Sequence, residues 1–239
     1  MSAQESVYLL PWDADSRSHR EVLYTQRKEC GWGHDEVETK WRDAQGKGEK
    51  CIFWIVSKSG YAQTPQNSEG SYFLQDTART INGATRTATN TYFSPVGHIS
   101  LDSVNHIPDS IRLDLPSTEV LWIKNLFVRQ AFQGQGIGRA AMDTVEDMAT
   151  REPLNATTLA LDTMQRDDQL QEEFSMASLG YVPKVANEDW YSRRGYQTIA
   201  TVQSYYQHSD RSGRIWNMRT VFMRKEIRQG MPPRTSLVR

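Results

Sequence analysis

The stretch Leu121–Arg139, LWIKNLFVRQAFQGQGIGR, constrains the fold of this chain more than any other. An apolar run closes at Phe127-Val128. A short polar connection leads to Gln133-Gly134-Gln135-Gly136-Ile137-Gly138-Arg139, and the run AAMDTVEDMAT follows with apolar residues at helical spacing. The order is therefore strand, glycine-rich turn, helix. Glycine allows positive φ and lets the main chain approach a ligand with no Cβ in between. The first N–H groups of the following helix have no intrahelical acceptor, and the macrodipole adds partial positive charge there. Together these features make a main-chain cradle for phosphate oxygens. The plainer alternative is a tight connection that binds nothing.

Spacing weighs against two phosphate ligands. The dinucleotide fingerprint G-x-G-x-x-G/A would put its third small residue at Arg139. A later register through Gly136, Gly138 and Ala141 fits the looser form, but begins well past the strand end at Val128. The P-loop requires a lysine and a hydroxyl residue that are not present. What remains is Q-x-x-G-x-G with Val128 five residues ahead of Gln133. This resembles motif A of the GNAT N-acetyltransferase superfamily, [RQ]-x-x-G-x-[GA]. The resemblance implies an α/β (α+β) fold with a central mixed, mostly antiparallel sheet of about six to seven strands, splayed at the coenzyme A site and flanked by helices. It implies acetyl-CoA as acetyl donor. The main chain of Leu126, Phe127 and Val128 would pair with the pantetheine arm, with the Val128 N–H polarising the thioester. Gln133, Gly134, Gln135, Gly136, Ile137, Gly138 and Arg139 would hold the pyrophosphate.

The 239 residues are 38% hydrophobic, 24% charged and 10% aromatic, enough apolar material for a sizeable core in an ordinary globular chain. A net charge of −1 gives no global electrostatic case for nucleic acid or an anionic membrane. Cys30 and Cys51 are too few for a disulfide framework and form no metal-type pair. No run approaches a membrane span, and the N-terminus lacks the pattern of a signal peptide. A cytoplasmic chain with no metal is expected, as a monomer or homodimer. One domain over 1–239 is expected, with polar insertions around 58–93 and 163–186 and a flexible tail around 228–239.

Along the chain, 6–12 reads as an edge strand. Residues 16–32 and 35–45 read as helices separated near Gly31 and Gly33, and 50–57 as a buried strand. Order lapses at 58–90, a Ser/Thr/Gln/Asn-rich run read as a mobile insertion. Residues 95–102 form a strand in which Gly97 permits close approach or a bulge. The strand 119–129, the helix 135–151 and the strand 156–162 make a right-handed βαβ unit. A short amphipathic helix is expected over 167–179, where Leu170, Phe174 and Ala177 share a face. A helix over 187–194 stops at Gly195, and strands at 196–206 and 219–227 flank a hairpin loop.

Trp190-Tyr191-Ser192-Arg193-Arg194-Gly195-Tyr196 carries Y-x-x-x-G-[FY] after that helix. GNAT enzymes end the corresponding helix similarly, and the resemblance implies that Tyr191 protonates the departing thiolate. A phenol with pKa about 10 carries its proton at neutral pH. The bland alternative is a core tyrosine closing the helix. Lys184 stands where the family often has an asparagine, and Asn187 is only four residues before Tyr191. Glu119, at the start of the splayed strand, is a candidate to deprotonate the amine, beside Asp162, Lys124, His98 and His106. Asp167, Asp168, Glu172 and Glu173 would attract a cationic acceptor or form a solvated face. Two function classes remain: an acetyltransferase acting on a primary amine of a small molecule or peptide, or an acyl-CoA-binding sensor without catalysis. A nucleotide-binding protein fits the spacing poorly.

Overall fold

A computed structural model describes residues 7–62, 72–210 and 212–227. The main strands are β1 (Val7–Pro11), β2 (Lys50–Ser57), β3 (Gly97–Asp102), β4 (Val120–Val128), β5 (Thr158–Met164), β6 (Gln197–Gln203) and β7 (Arg219–Glu226). They form one seven-stranded sheet in the order β1-β2-β3-β4-β5-β7-β6. The pairs β1–β2, β2–β3, β3–β4, β5–β7 and β7–β6 are antiparallel. This is the mixed, mostly antiparallel sheet that the sequence implies. Helices α1 (Arg17–Cys30), α2 (Arg42–Gly46), α3 (Ile137–Ala149), α4 (Arg166–Gln169), α5 (Glu172–Ser178) and α6 (Asn187–Arg193) accompany it. The described residues divide into two compact units: 7–62 and 72–105 with 121–157, and 106–120 with 158–210 and 212–227.

In the first unit, β2 explains much of the core. Its run CIFWIV is buried on both faces, as the absence of polar alternation predicts. Ile52, Trp54 and Val56 project together against Val22 and Leu23 of α1, and Trp12, Val37, Trp41, Leu74 and Phe93 complete that cluster. Helix α1 ends because Gly31 takes a left-handed φ of 86°, and its N–H bonds back to the carbonyls of Arg27 and Lys28. The expected second helix is a wide turn over Val37–Trp41 that runs into α2. Helix α3 buries Ile137, Ala140, Ala141, Met142, Val145 and Ala149.

The insertion at 58–93 carries more structure than its composition announces. Residues 63–71 lie outside the described residues, but 72–93 are organised around Asp76, which is fully buried. Both oxygens of its carboxylate accept from the Arg86 guanidinium at 2.6 and 2.8 Å, and Thr89 donates its N–H and hydroxyl. Burial alone would raise the Asp76 pKa; the bonds from Arg86 and Thr89 more than offset this and hold it below the usual carboxylate range. Thr80–Ile81 pairs with Ala84–Thr85 across Asn82-Gly83, both at positive φ, which is the hairpin signal that residue pair carries. Leu74–Gln75 pairs with Tyr92–Phe93.

In the second unit, the expected helix over 167–179 is two short helices, α4 and α5. The Gln165 side chain caps α4 by accepting from the N–H groups of Asp167 and Asp168, and the Asp168 carboxylate is drawn onto Arg219 of β7. Helix α5 restarts after Gln171 so that Phe174 packs on Trp216 and Met218. The loop between β6 and β7 is a hairpin tied by Asp210, whose carboxylate accepts from Ser212, Arg214 and Trp216. The tail from 228 lies outside the described residues.

Candidate active site

The candidate residues fall in both units. In the first, β4 departs from regular pairing. His98 is opposite Phe127 and Ser100 is opposite Lys124, so Asn125 and Leu126 together face Ile99 alone. Two residues against one is a β-bulge, which kinks a strand and redirects its main-chain groups. Asn125 absorbs the turn at φ 56°, in the left-handed region that asparagine tolerates better than most residues. Sequence reading gave no account of Asn125; an asparagine inside an apolar strand is the signal that could have found it. Beyond the bulge, Gly97 lets β3 and β4 approach closely, because an added Cβ would lie 2.1 Å from the Phe127 carbonyl oxygen.

After β4 the chain makes a short 3-10 turn, Gln130–Phe132, and enters the glycine loop. Arg129 and the Gln130 N–H are both held by the Glu29 carboxylate of α1, which fixes where the loop starts. Gln133 differs from its expected part. Its N–H goes to the Gln130 carbonyl and its side chain donates to the Val128 carbonyl at 2.8 Å, so it shapes the loop. The Gln135 side chain likewise donates to the Ala131 carbonyl. Gly134 and Gly136 have φ of 77° and 84°, and open space surrounds the position a Cβ would take at each.

Gly136 is the N-cap of α3, and no side chain caps this end. Among the described residues, the N–H groups of Gly136, Ile137, Gly138 and Arg139 take no protein acceptor; the first intrahelical bond is from Ala140 to Gly136. No acidic residue occupies the first turn. Four free donors, the positive end of a helix dipole and a loop without side chains in the way fit an anion such as a pyrophosphate. Arg139 is exposed at the edge of this cradle. The segment Leu126–Val128 is half-buried and meets the loop directly through the Val128 carbonyl.

Tyr191 and Glu119 belong to the second unit. Tyr191 sits in α6, half-buried, with its ring edge-on to Trp190 and Tyr196. The Tyr196 N–H returns to the Tyr191 carbonyl, and Gly195 turns the chain at φ 90°. Among the described residues its hydroxyl makes no hydrogen bond. Burial pushes the phenol above its ordinary pKa, the Asp162 carboxylate adds to the rise and Arg194 opposes it. Asp162 itself accepts from the Tyr206 hydroxyl at 3.0 Å.

Glu119 is exposed, at φ 59°, immediately before β4 and nine residues ahead of Val128. Its carbonyl accepts from the Thr158 N–H, and no hydrogen bond or ion pair joins it to Tyr191 among the described residues. His98 is fully buried between Gln26 and Arg27. Of the acidic residues in the second insertion, Asp168 is spent on Arg219, Glu173 on Arg214 and Asp167 on Arg166.

The sequence profile described as the acetyltransferase (GNAT) family matches residues 53–177, just over half of the chain. The chain belongs to the GNAT acetyltransferase family. It is therefore an acyltransferase of that family, with acetyl-CoA as donor. No curated protein matches it in sequence. Among solved structures, a spermidine N-acetyltransferase SpeG chimera from Vibrio cholerae and hSSAT is 13% identical, with 94% of this chain and 96% of that chain covered and a TM-score of 0.51. Arabidopsis thaliana NAA60 in complex with acetyl-CoA is 12% identical over 93% of this chain and 99% of that one, with a TM-score of 0.51. The dodecameric spermidine N-acetyltransferase from Vibrio cholerae gives 9%, 92%, 94% and 0.52. At such identities the likeness is one of fold. Among the described residues no cluster of His, Cys, Asp and Glu has the make-up to hold a metal, and no helix is long and apolar enough to cross a membrane.

Proposed function

We propose that this acetyltransferase transfers the acetyl group to a primary amine of a small molecule or peptide. The observation that carries the reading is the row of four N–H groups from Gly136 to Arg139, following a bulged β4 and uncommitted among the described residues. The fold neighbours named as spermidine N-acetyltransferases support an amine acceptor. Acetyl-CoA supplies the acyl group and, on transfer, the thiol leaving group.

The residues divide the work as follows. Gly134 and Gly136 keep side chains out of the loop, and the amides from Gly136 to Arg139 hold the pyrophosphate. The main chain of Leu126–Val128 pairs with the pantetheine arm, and the Val128 N–H donates to the thioester oxygen as negative charge develops there. As the amine nitrogen bonds to the carbonyl carbon and the carbon–sulfur bond breaks, Tyr191 gives its hydroxyl proton to sulfur, and the proton that the nitrogen sheds on becoming an amide returns to the tyrosinate by way of solvent. A phenol whose pKa is raised keeps that proton across the working range. Among the described residues it makes no hydrogen bond that would have to break first. The amine must arrive neutral. Glu119 is the sequence candidate for that deprotonation, but its exposed position at the start of β4 lends it no support.

Release of coenzyme A thiol from acetyl-CoA is measured against a panel of polyamines, amino sugars and amino-terminal peptides. Turnover is expected with at least one. Tight acetyl-CoA binding with no thiol release from any amine would overturn the reading and leave a binding domain. With an accepted amine, Tyr191→Phe is expected to lower kcat by roughly 100-fold or more while leaving acetyl-CoA affinity unchanged. Unchanged kcat removes Tyr191 from the mechanism.

A further inference from the structure

Beneath the β4 bulge lies a buried polar chain that the reaction described above does not use. Lys50 of β2 and Asp102 of β3 form an ion pair at 2.5 Å, with side chains only 8% and 10% exposed. Lys50 Nζ also donates to Ser100 Oγ at 3.4 Å. Ser100 is fully buried on β3, directly opposite Lys124. Its hydroxyl donates to the Lys124 carbonyl at 3.3 Å and accepts from the Asn125 side-chain amide at 3.3 Å. A hydroxyl has one proton and two lone pairs: the lone pairs accept from Lys50 and Asn125, and the proton is shared between the Lys124 carbonyl and the neighbouring Asp102 carboxylate. The two β4 groups it holds, the Lys124 carbonyl and the Asn125 amide, belong to the residue before the bulge and to the first residue of the bulge.

This placement needs an explanation. An isolated ion pair in a core is weak evidence for stability, because desolvation consumes most of the attraction. A left-handed non-glycine residue inside a strand is unfavourable and persists only where its surroundings over-determine it. The chain from Asp102 through Lys50 and Ser100 supplies that determination at Asn125. Leu126–Val128, the segment proposed above to lie along the acyl donor and to offer it the Val128 N–H, follows immediately on the same strand. A shift of the bulge by a fraction of an ångström changes where those donors point.

We propose that Ser100, anchored by the Lys50–Asp102 pair, is a positioning residue for acyl transfer: through the Lys124 carbonyl and the Asn125 amide it locks the β4 bulge, and so aims the main-chain donor that polarises the thioester. The inference rests on the reading that acetyl-CoA lies along Leu126–Val128. Ser100 touches no substrate and acts only through β4.

The test uses the full chain and acetyl-CoA labelled with carbon-13 at the thioester carbonyl, so no acceptor is needed. Isotope-edited infrared spectroscopy reads the polarisation of the bound carbonyl, and titration calorimetry reads affinity. In the unmutated chain the carbonyl band shifts to lower frequency on binding. With Ser100→Ala, affinity is expected to be unchanged while the band moves back toward that of free acetyl-CoA. Asn125→Gly keeps the left-handed backbone accessible and removes only the amide, so it is expected to lose part of the shift; it also serves if Ser100→Ala does not fold. A full wild-type shift in both variants overturns the inference alone, as does a loss of affinity in parallel with the shift, which marks a merely structural role. Absence of acetyl-CoA binding by the unmutated chain overturns the functional reading first, and the inference with it.

Discussion

At the scale of single residues, backbone conformation carries more of the site than charge does. Gly97 is the sharpest case. A Cβ there would sit 2.1 Å from the Phe127 oxygen and 3.0 Å from the Val128 Cα, so the strands must separate to admit it. Gly97→Ala is expected to destabilise the fold by about 2–3 kcal/mol, read as a lower urea midpoint, with weaker acetyl-CoA binding in the same variant. At Gly136 there is room for a methyl group but the φ of 84° is unfavourable, so Gly136→Ala is expected to cost about 1–2 kcal/mol by strain alone. Glu119 makes the opposite prediction. It is exposed, lies just before the first residue of β4, and has no hydrogen bond or ion pair to Tyr191 among the described residues. Glu119→Gln is therefore expected to leave kcat and its pH profile unchanged; loss of the acidic limb of that profile would restore Glu119 as the base.

At the scale of elements, side-chain networks decide where a segment of poor composition becomes ordered. Residues 72–93 show this clearly. Nothing in their hydrophobic pattern predicts a packed segment, yet one carboxylate gathers Arg86 and Thr89 and lets two short strand pairs form. Asp76→Ala leaves Arg86 half-embedded without its partner, at a cost of about 3 kcal/mol. Amide exchange over 74–93 should accelerate, while exchange in β5 and β7 stays as it was. Equal acceleration everywhere would show that the pair stabilises more than its own segment. The division of the 167–179 helix has the same kind of origin. The apolar spacing of Leu170, Phe174 and Ala177 was legible, and Phe174 does enter a core. The break was not legible, because it depends on Arg219, some fifty residues downstream, claiming Asp168.

At the scale of the whole molecule, buried histidines set the response to acid. His98 is held well below its ordinary pKa by burial, with Arg27 and Lys50 adding to the effect. Burial also lowers His19, against a bond to the Gln75 carbonyl that works the other way, and it lowers His208. Each is neutral in the fold and free to take a proton once unfolded. The unfolded chain thus binds more protons below its histidine pKa of about 6.5. The stability these groups contribute is fully present above that pH and is lost as pH falls toward 5, by up to about 1.4 kcal/mol per pH unit for each histidine. Asp102, raised by burial against the pull of Lys50, works in the opposite sense. Urea midpoints measured from pH 7.5 to 5 should fall, and His98→Gln should flatten the slope. An unchanged slope would mean that His98 takes up its proton alike in the folded and unfolded chains.

The sequence by itself determined the strand–loop–helix at Leu121–Ala149, the position of most main strands and the glycine cradle. These are local matters: periodicity, β-branched content and the φ freedom of glycine act within a few residues. The same holds for Tyr191 and its Gly195 stop. Tertiary structure alone decided the bulge at Asn125 and the buried chain from Asp102 to Ser100. Each depends on groups far apart in sequence meeting in a low-dielectric interior, where an unpaired charge is costly and a paired one fixes geometry. No window of the sequence contains both partners, so no local pattern announces them.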